Sequence, residues 1–352
     1  MDINKIKKVL IIRLSALGDV AMSIPIVYSV CRAYPQIEFT MLTSPHASNL
    51  FIEKPANLVI ISAQIRGRHS GIKGLYTLYR ELRNSSFNII ADLHDVLRSK
   101  ILRFLFALSG CKVAHINKGR KEKRKLTTRE HKQKKQLKSS FVRYTEVFNK
   151  LGFSFNETFI SLFQNIATPP LLPDGINISD NSKSLIGIAP FAKHKGKIYP
   201  IELMEIVVSQ LSSSDKYQIF FFGSKGHEET IINEWTNKYS NTISFAGKNL
   251  GFETELSIMS QLDVMLSMDS ANMHLASLVN TPVISIWGAT HPYAGFMGWR
   301  QDKSNTVEIE LPCRPCSIFG NKPCWRKDYA CLYEITPEMI IEKIKLLINS
   351  KK

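Results

Sequence analysis

KVLIIRLSALGDVAMSIP, residues 8–25, opens with a short run that is β-branched and apolar on both faces, as a buried parallel strand is. Behind it, Val20, Ile24, Val27 and Cys31 recur at spacings of three and four until Tyr34-Pro35, which predicts a helix. Gly18-Asp19 therefore falls where a strand hands over to a helix, at the strand's carboxyl end. Two roles fit Asp19 there. An aspartate suits a helix N-terminus as a cap, and the same edge of an open α/β sheet is where ligands bind.

The alternation continues outward from this unit. Strand-like runs at 37–42, 57–61 and 87–93 alternate with helical stretches, and after an interruption the pattern restarts at 185–190, 217–223, 263–268 and 282–288. This predicts two doubly wound parallel-sheet domains of the α/β class, over 1–165 and 185–335, with a helix over 336–352. The Pro-rich stretch 166–184 between them has the composition of a linker.

The chain has 352 residues, 44% hydrophobic and 22% charged, enough for two full cores. No N-terminal segment resembles a signal peptide and no apolar stretch is long enough to span a bilayer, so a cytoplasmic location is expected. The formal net charge is +16 and is concentrated. Residues 112–143 hold thirteen Lys or Arg against Glu122 and Glu130, a surplus of about +11. Such a block reads as a solvated loop or as a contact for an anionic partner, either nucleic acid or a membrane face. No RRM, KH or helix-turn-helix signature accompanies it, so no nucleic-acid partner is expected.

The dinucleotide, P-loop and nucleophile-elbow fingerprints are absent, and no Asp-x-Asp pair offers itself to a metal on a nucleotide diphosphate. The second half instead carries SMDSANMHLAS at 267–277, where a strand ends in Asp269, Ser270, Ala271 and Asn272 and a helix begins through Met273 and His274. Backbone N–H groups and a helix dipole there would cradle a diphosphate. Lys193, Lys195 and Lys197 follow an earlier strand end, and Gly223-Ser224 leads to Glu228, a carboxylate suited to ribose hydroxyls. Together these outline a nucleotide diphosphate pocket in the second domain. Cys313, Cys316, Cys324 and Cys331 form a C-x2-C-x7-C-x6-C cluster, a loose match to a structural zinc site.

IIRLSALGDVAMSIPIV, FNIIADLHDVLRSK, FGSKGHE, SMDSANMHLAS…PVISIWGAT and LPCRPC, in this order, resemble the heptosyltransferases of bacterial lipopolysaccharide biosynthesis, glycosyltransferase family 9. The resemblance implies a GT-B architecture, two Rossmann-like domains facing across a cleft, and inverting transfer from ADP-heptose to a Kdo or heptose of the lipid A core. It implies Asp19 as the base on the acceptor hydroxyl. Lys197 of Lys-Ile-Tyr-Pro would hold donor phosphate, Glu228 the ribose, and 269–274 the diphosphate and sugar, with Gly223 and Ser224 alongside. Ser15, Gly18, Arg66, Arg68, Asp92, His94 and Arg98 are the candidate acceptor contacts. Segment 112–143 would draw the first domain to an anionic membrane face, placing the protein peripherally at the inner membrane. No metal is expected in catalysis. Tyr199 stands where the family has Trp, and Ala271 where it has Gly, which bears on the sugar more than on the fold. Donor sugars other than heptose, and a non-catalytic RNA or membrane binder, are the competing readings.

Overall fold

The computed structural model describes residues 5–166 and 182–350. Most of the expected linker, 167–181, lies outside the described residues. Contacts divide the chain into two compact units, 1–118 with 138–162, and 119–137 with 163–352.

The first unit runs β1 (Lys8–Ile12), α1 (Leu17–Ala33), β2 (Glu38–Thr43), α2 (Pro45–Ser48), β3 (Leu58–Ser62), α3 (Gly71–Arg83), β4 (Ile89–Asp92), α4 (Leu97–Leu108) and β5 (Lys112–His115). After α5 (Arg120–Leu126), which belongs to the other unit, α6 (Ser140–Leu151) completes it. The sheet order is β3-β2-β1-β4-β5, all parallel. β1 is fully buried after Lys8, as its unbroken apolar run requires. α1 buries Val20, Ile24, Val27 and Cys31, the three aliphatic burials contributing on the order of 1.5–3 kcal/mol each. α3 and α4 cover one sheet face through Leu75, Leu78, Leu82, Leu102 and Phe106.

The second unit runs β6 (Ser184–Ala189), α7 (Ile201–Ser212), β7 (Tyr217–Phe221), α8 (His227–Lys238), β8 (Thr242–Ser244), α9 (Phe252–Ser260), β9 (Val264–Met268), α10 (Ala271–Leu278), β10 (Val283–Ile286), β11 (Thr306–Val307), α11 (Ala330–Tyr333) and α12 (Pro337–Asn349). Its order is β11-β10-β9-β6-β7-β8, again all parallel. The predicted C-terminal helix is an integral part of this core, burying Ile340, Ile344 and Ile348. No helix among the described residues is long and apolar enough to cross a membrane.

One expectation is corrected. The basic segment 112–143 does not belong whole to the first domain, because 119–137 packs with the second. Leu126 and Leu137 bury against Ala294, with Tyr293, Phe296 and Ile318 around them. Leu137 N–H donates to the Tyr293 carbonyl at 2.9 Å. Lys132 Nζ donates to the carbonyls of Cys313 (2.6 Å) and Pro315 (3.0 Å), Lys134 pairs with Glu310, and Arg129 and Lys132 lie over the Trp325 ring. Much of the charge therefore serves as fastening. At the edges of the segment, Lys112–His115 is the outer strand β5, and Arg143 is buried with its guanidinium on the Asn117 carbonyl at 2.9 Å.

Candidate active site

In each sheet the chain reverses its direction of travel once. The reversal lies between β1 and β4 in the first sheet and between β6 and β9 in the second. The loops beyond the carboxyl ends of such strands diverge and leave room for a ligand. Both candidate charge centres sit at these points.

In the first unit, Asp19 is the third residue of α1. Ala16, not Asp19, is the N-cap; the Asp19 carboxylate, at N3, accepts from Ala16 N–H at 3.4 Å. The same Oδ2 is ion-paired with Arg13, the residue that follows β1. Arg13 is 5% exposed; it donates to the Leu93 carbonyl at 2.7 Å beyond β4 and lies 6.0 Å from the Tyr144 ring centre. Tyr144 in turn donates to the Asp19 carbonyl at 3.3 Å. Asp19 keeps 34% of its side chain exposed while its partner is buried, so the carboxylate is anchored at the protein side and in part reachable by solvent. The sequence reading missed Arg13; a basic residue at the end of an otherwise apolar strand was the available signal.

His94 completes this edge. Its Nδ1 accepts from Leu14 N–H at 3.3 Å, which fixes the proton, when the ring is neutral, on Nε2. Burial, with Arg13 and Lys118 nearby, pushes its pKa down to about 3, so the ring is neutral at physiological pH. Asp92 is not presented to a ligand, contrary to expectation. It is fully buried, its Oδ1 accepts from His94 and Asp95 N–H at 2.9 Å each, and its Oδ2 pairs with Arg103 at 3.0 Å. Those partners satisfy both oxygens of a carboxylate that no solvent reaches. Ser15, Arg66, Arg68 and Arg98 are exposed and Gly18 is half-buried, with Arg68 paired to Glu81.

In the second unit, Lys197 and Asp269 are separated by most of a sheet in sequence and meet at 2.8 Å. Lys197 sits in the 3-10 turn Lys195–Lys197 after β6, and Asp269 directly follows β9. The pair is 15% and 4% exposed, so its attraction is little screened. Ser270, the N-cap of α10, and Ala271 and Asn272 in its first turn are half-buried, whereas Met273 is 1% exposed and is withdrawn into the core. His274 is also buried, at 6%. Glu228 accepts from Ser224 N–H at 2.7 Å in the turn after β7, and is half-buried next to Gly223.

The wall behind Lys197 is built from the loop after β10 and the cysteine-bearing loop. Ala289 N–H donates to the Gly196 carbonyl at 2.8 Å, and Cys316 and Ser317 N–H donate to the Ala289 carbonyl. At Gly320, φ is +71° and a Cβ would come within 2.6 Å of Lys197 Cγ, so this position admits only glycine without moving the lysine. Arg314, wholly buried, gathers the wall: it donates to the carbonyls of Gly288 (2.6 Å), Trp287 (2.9 Å), Thr290 (3.1 Å) and Ile309, and to Glu308 at 2.7 Å. Among the described residues no group of three or more His, Cys, Asp or Glu is drawn together around a metal position, although Cys313 and Cys324 lie near both Cys316 and Cys331. Cys313, Cys316, Cys324 and Cys331 are not joined in disulfides, and Cys316 and Cys331 are buried. Tyr199, in place of the family's Trp, is fully buried with its hydroxyl on the Ile335 carbonyl at 2.7 Å.

Two Rossmann-like parallel-sheet units, each with charged residues at its point of reversal, make up the α/β architecture called GT-B. The sequence profile of glycosyltransferase family 9 (heptosyltransferase) matches residues 75–322, and the chain belongs to that family. It is 24% identical over 335 residues to lipooligosaccharide heptosyltransferase 2 of Campylobacter jejuni, covering 94% of this chain and 96% of the relative. Among solved structures, a family 9 glycosyl transferase from Veillonella parvula superposes with a TM-score of 0.74 at 17% identity, covering 98% of both chains. The E. coli heptosyltransferase WaaC, solved with ADP, gives 0.66 at 18% identity, covering 97% of this chain and 99% of WaaC. The chain is thus a glycosyltransferase of the lipopolysaccharide heptosyltransferase family.

Proposed function

We propose that this enzyme transfers heptose from ADP-heptose to a Kdo or heptose of the lipid A core, inverting the anomeric carbon. The observation that carries the donor half is the meeting of Lys197 and Asp269 at the point of reversal of the second sheet. Asp269 holds the ammonium beside the start of α10, so a diphosphate entering there meets a cation and a helix N-terminus together. WaaC, solved also with ADP-2-deoxy-2-fluoro heptose, supports ADP-heptose as donor.

The chemistry follows from charge. The acceptor hydroxyl oxygen bonds to the anomeric carbon, its proton passes to the Asp19 carboxylate, and the bond from that carbon to the β-phosphate oxygen breaks. ADP departs with the electron pair, and Lys197 and the helix terminus offset the charge it gains. Arg13 fixes where the Asp19 carboxylate points, and the neutral His94 ring adds no second positive charge beside it. These steps draw on two side chains and a helix terminus, and none of them is assigned to a metal. Exposed Arg66 and Arg98 are suited to the acceptor's anionic groups. The work site is the cytoplasmic side of the inner membrane.

Calorimetric titration with ADP, UDP and GDP tests the donor assignment, with Lys197→Ala alongside. ADP binding that is tightest of the three and weakened in the variant is the expected result. Binding of UDP alone, or of none, would sink the heptose assignment.

A further inference from the structure

Among the described residues, the three large apolar side chains most open to solvent, Ile72, Leu97 and Leu108, lie on α3 and α4, and Phe104 and Tyr76 extend the same patch. Leu97 is 75% exposed, Phe104 62% and Leu108 72%, and Ile101 is half-buried between them. Spacings of four, three and four place these residues in one stripe along α4, about 16 Å long. Ile72 (76%) and Tyr76 (53%) stand one turn apart on α3, which packs beside α4. The Tyr76, Tyr79 and Phe106 rings join the helices, with centroids 6.1 and 5.0 Å apart. Exposed Lys73, Arg80, Arg83, Arg98 and Lys100 rim the stripe, and Glu81 is the only acid on either helix.

An exposed apolar stripe bordered by cations is what an interfacial helix presents to anionic lipid, with apolar side chains among the acyl chains and basic ones at the headgroups. We propose that this α3–α4 face docks the enzyme on an anionic phospholipid bilayer. The choice of occupant rests on charge complementarity. A second copy of the same face would set cation against cation across a two-fold axis, and a nucleic acid would leave the leucines in water. The inference rests on the membrane location proposed above and moves the contact there from segment 112–143, many of whose cations are committed to the second unit's loops. α4 starts just past His94 and Asp95, so the docking face adjoins the edge that carries Asp19.

The test is flotation of the full chain with vesicles of phosphatidylethanolamine and phosphatidylglycerol, and with phosphatidylcholine vesicles, in the absence of nucleotide or sugar. Its outcome is therefore independent of the donor assignment. Wild-type protein is expected to float with the anionic vesicles. A Leu97→Glu, Phe104→Glu, Leu108→Glu variant should lose at least about tenfold in partitioning, while Lys121→Glu, Lys125→Glu, Lys135→Glu keeps most of it. Phe104→Trp gives a second readout that does not depend on losing function, a blue shift of its emission on adding anionic vesicles. Unchanged flotation of the α4 variant, or no blue shift, overturns the proposal. So does a self-association in sedimentation equilibrium that the α4 variant abolishes while wild-type protein ignores vesicles.

Discussion

Arg13 and Asp19 form an ion pair across the turn between the first strand and the first helix, one partner buried and the other a third exposed. The aspartate is a helix-terminal residue and a candidate base at once. Removing the carboxylate charge while keeping its shape, in Asp19→Asn, should lower the transfer rate by about 100- to 10,000-fold with ADP affinity unchanged, a split that steady-state kinetics and calorimetry together resolve. Arg13→Met should lower kcat by roughly tenfold or more, because Asp19 loses its backing. Partial recovery in Arg13→Lys would separate positioning from mere packing.

Donor affinity should respond at two positions for one reason. Lys197→Ala deletes a charge-assisted contact, worth about 1.5–3 kcal/mol, so ADP should bind roughly 10- to 150-fold more weakly by calorimetry. Gly320→Ala retains the lysine but pushes its stem aside, and should weaken ADP in the same direction by a smaller factor. Equal affinity in Gly320→Ala and wild type would show that the lysine does not depend on this wall.

Arg314 is a stability prediction. Its guanidinium reaches four carbonyls and Glu308 from a fully buried position, so Arg314→Met strands that carboxylate and those carbonyls and should cost about 3–5 kcal/mol, seen as a lower Tm and an earlier denaturant midpoint. Arg314→Lys should recover little of this, since an ammonium lacks the planar fork that spans the acceptors.

Acid should destabilise the fold through its buried histidines. His94 has its folded-state pKa lowered to about 3, and His291 is shifted the same way, both first of all by burial. Between that value and the unfolded pKa near 6.5 the unfolded chain binds more protons, so stability is full above about pH 6.5 and falls as the pH drops below it. Chemical denaturation from pH 7 to pH 5 should show this slope, and His94→Gln should flatten it.

The strands of both sheets that are buried on two faces were legible, because unbroken β-branched runs have few other uses. β5, β8 and β11 were not, since a short outer strand such as Lys112–His115 has little apolar surface to mark it. Asp19, Lys197 and Asp269 could be named from their places after strands, but their pairings could not. Arg13 touches Asp19 and Lys197 touches Asp269 only because of how each sheet orders its strands. Asp92 looked like a ligand for want of knowing that Arg103, eleven residues on, folds back onto it. In the basic segment, composition outweighed Leu126 and Leu137, the two apolar residues that decide where it packs.

That segment also governs how the protein can be divided. Because the chain leaves the first unit at 118, returns at 138 and leaves again at 162, the polypeptide passes between the units three times. A fragment ending at residue 162 carries away the piece that covers Tyr293, Phe296 and Trp325, and a fragment beginning at 163 is born with those aromatic rings bare. The halves of this enzyme are therefore not separable by one cut: an isolated second unit needs 119–137 supplied back to it, as a fused or added peptide.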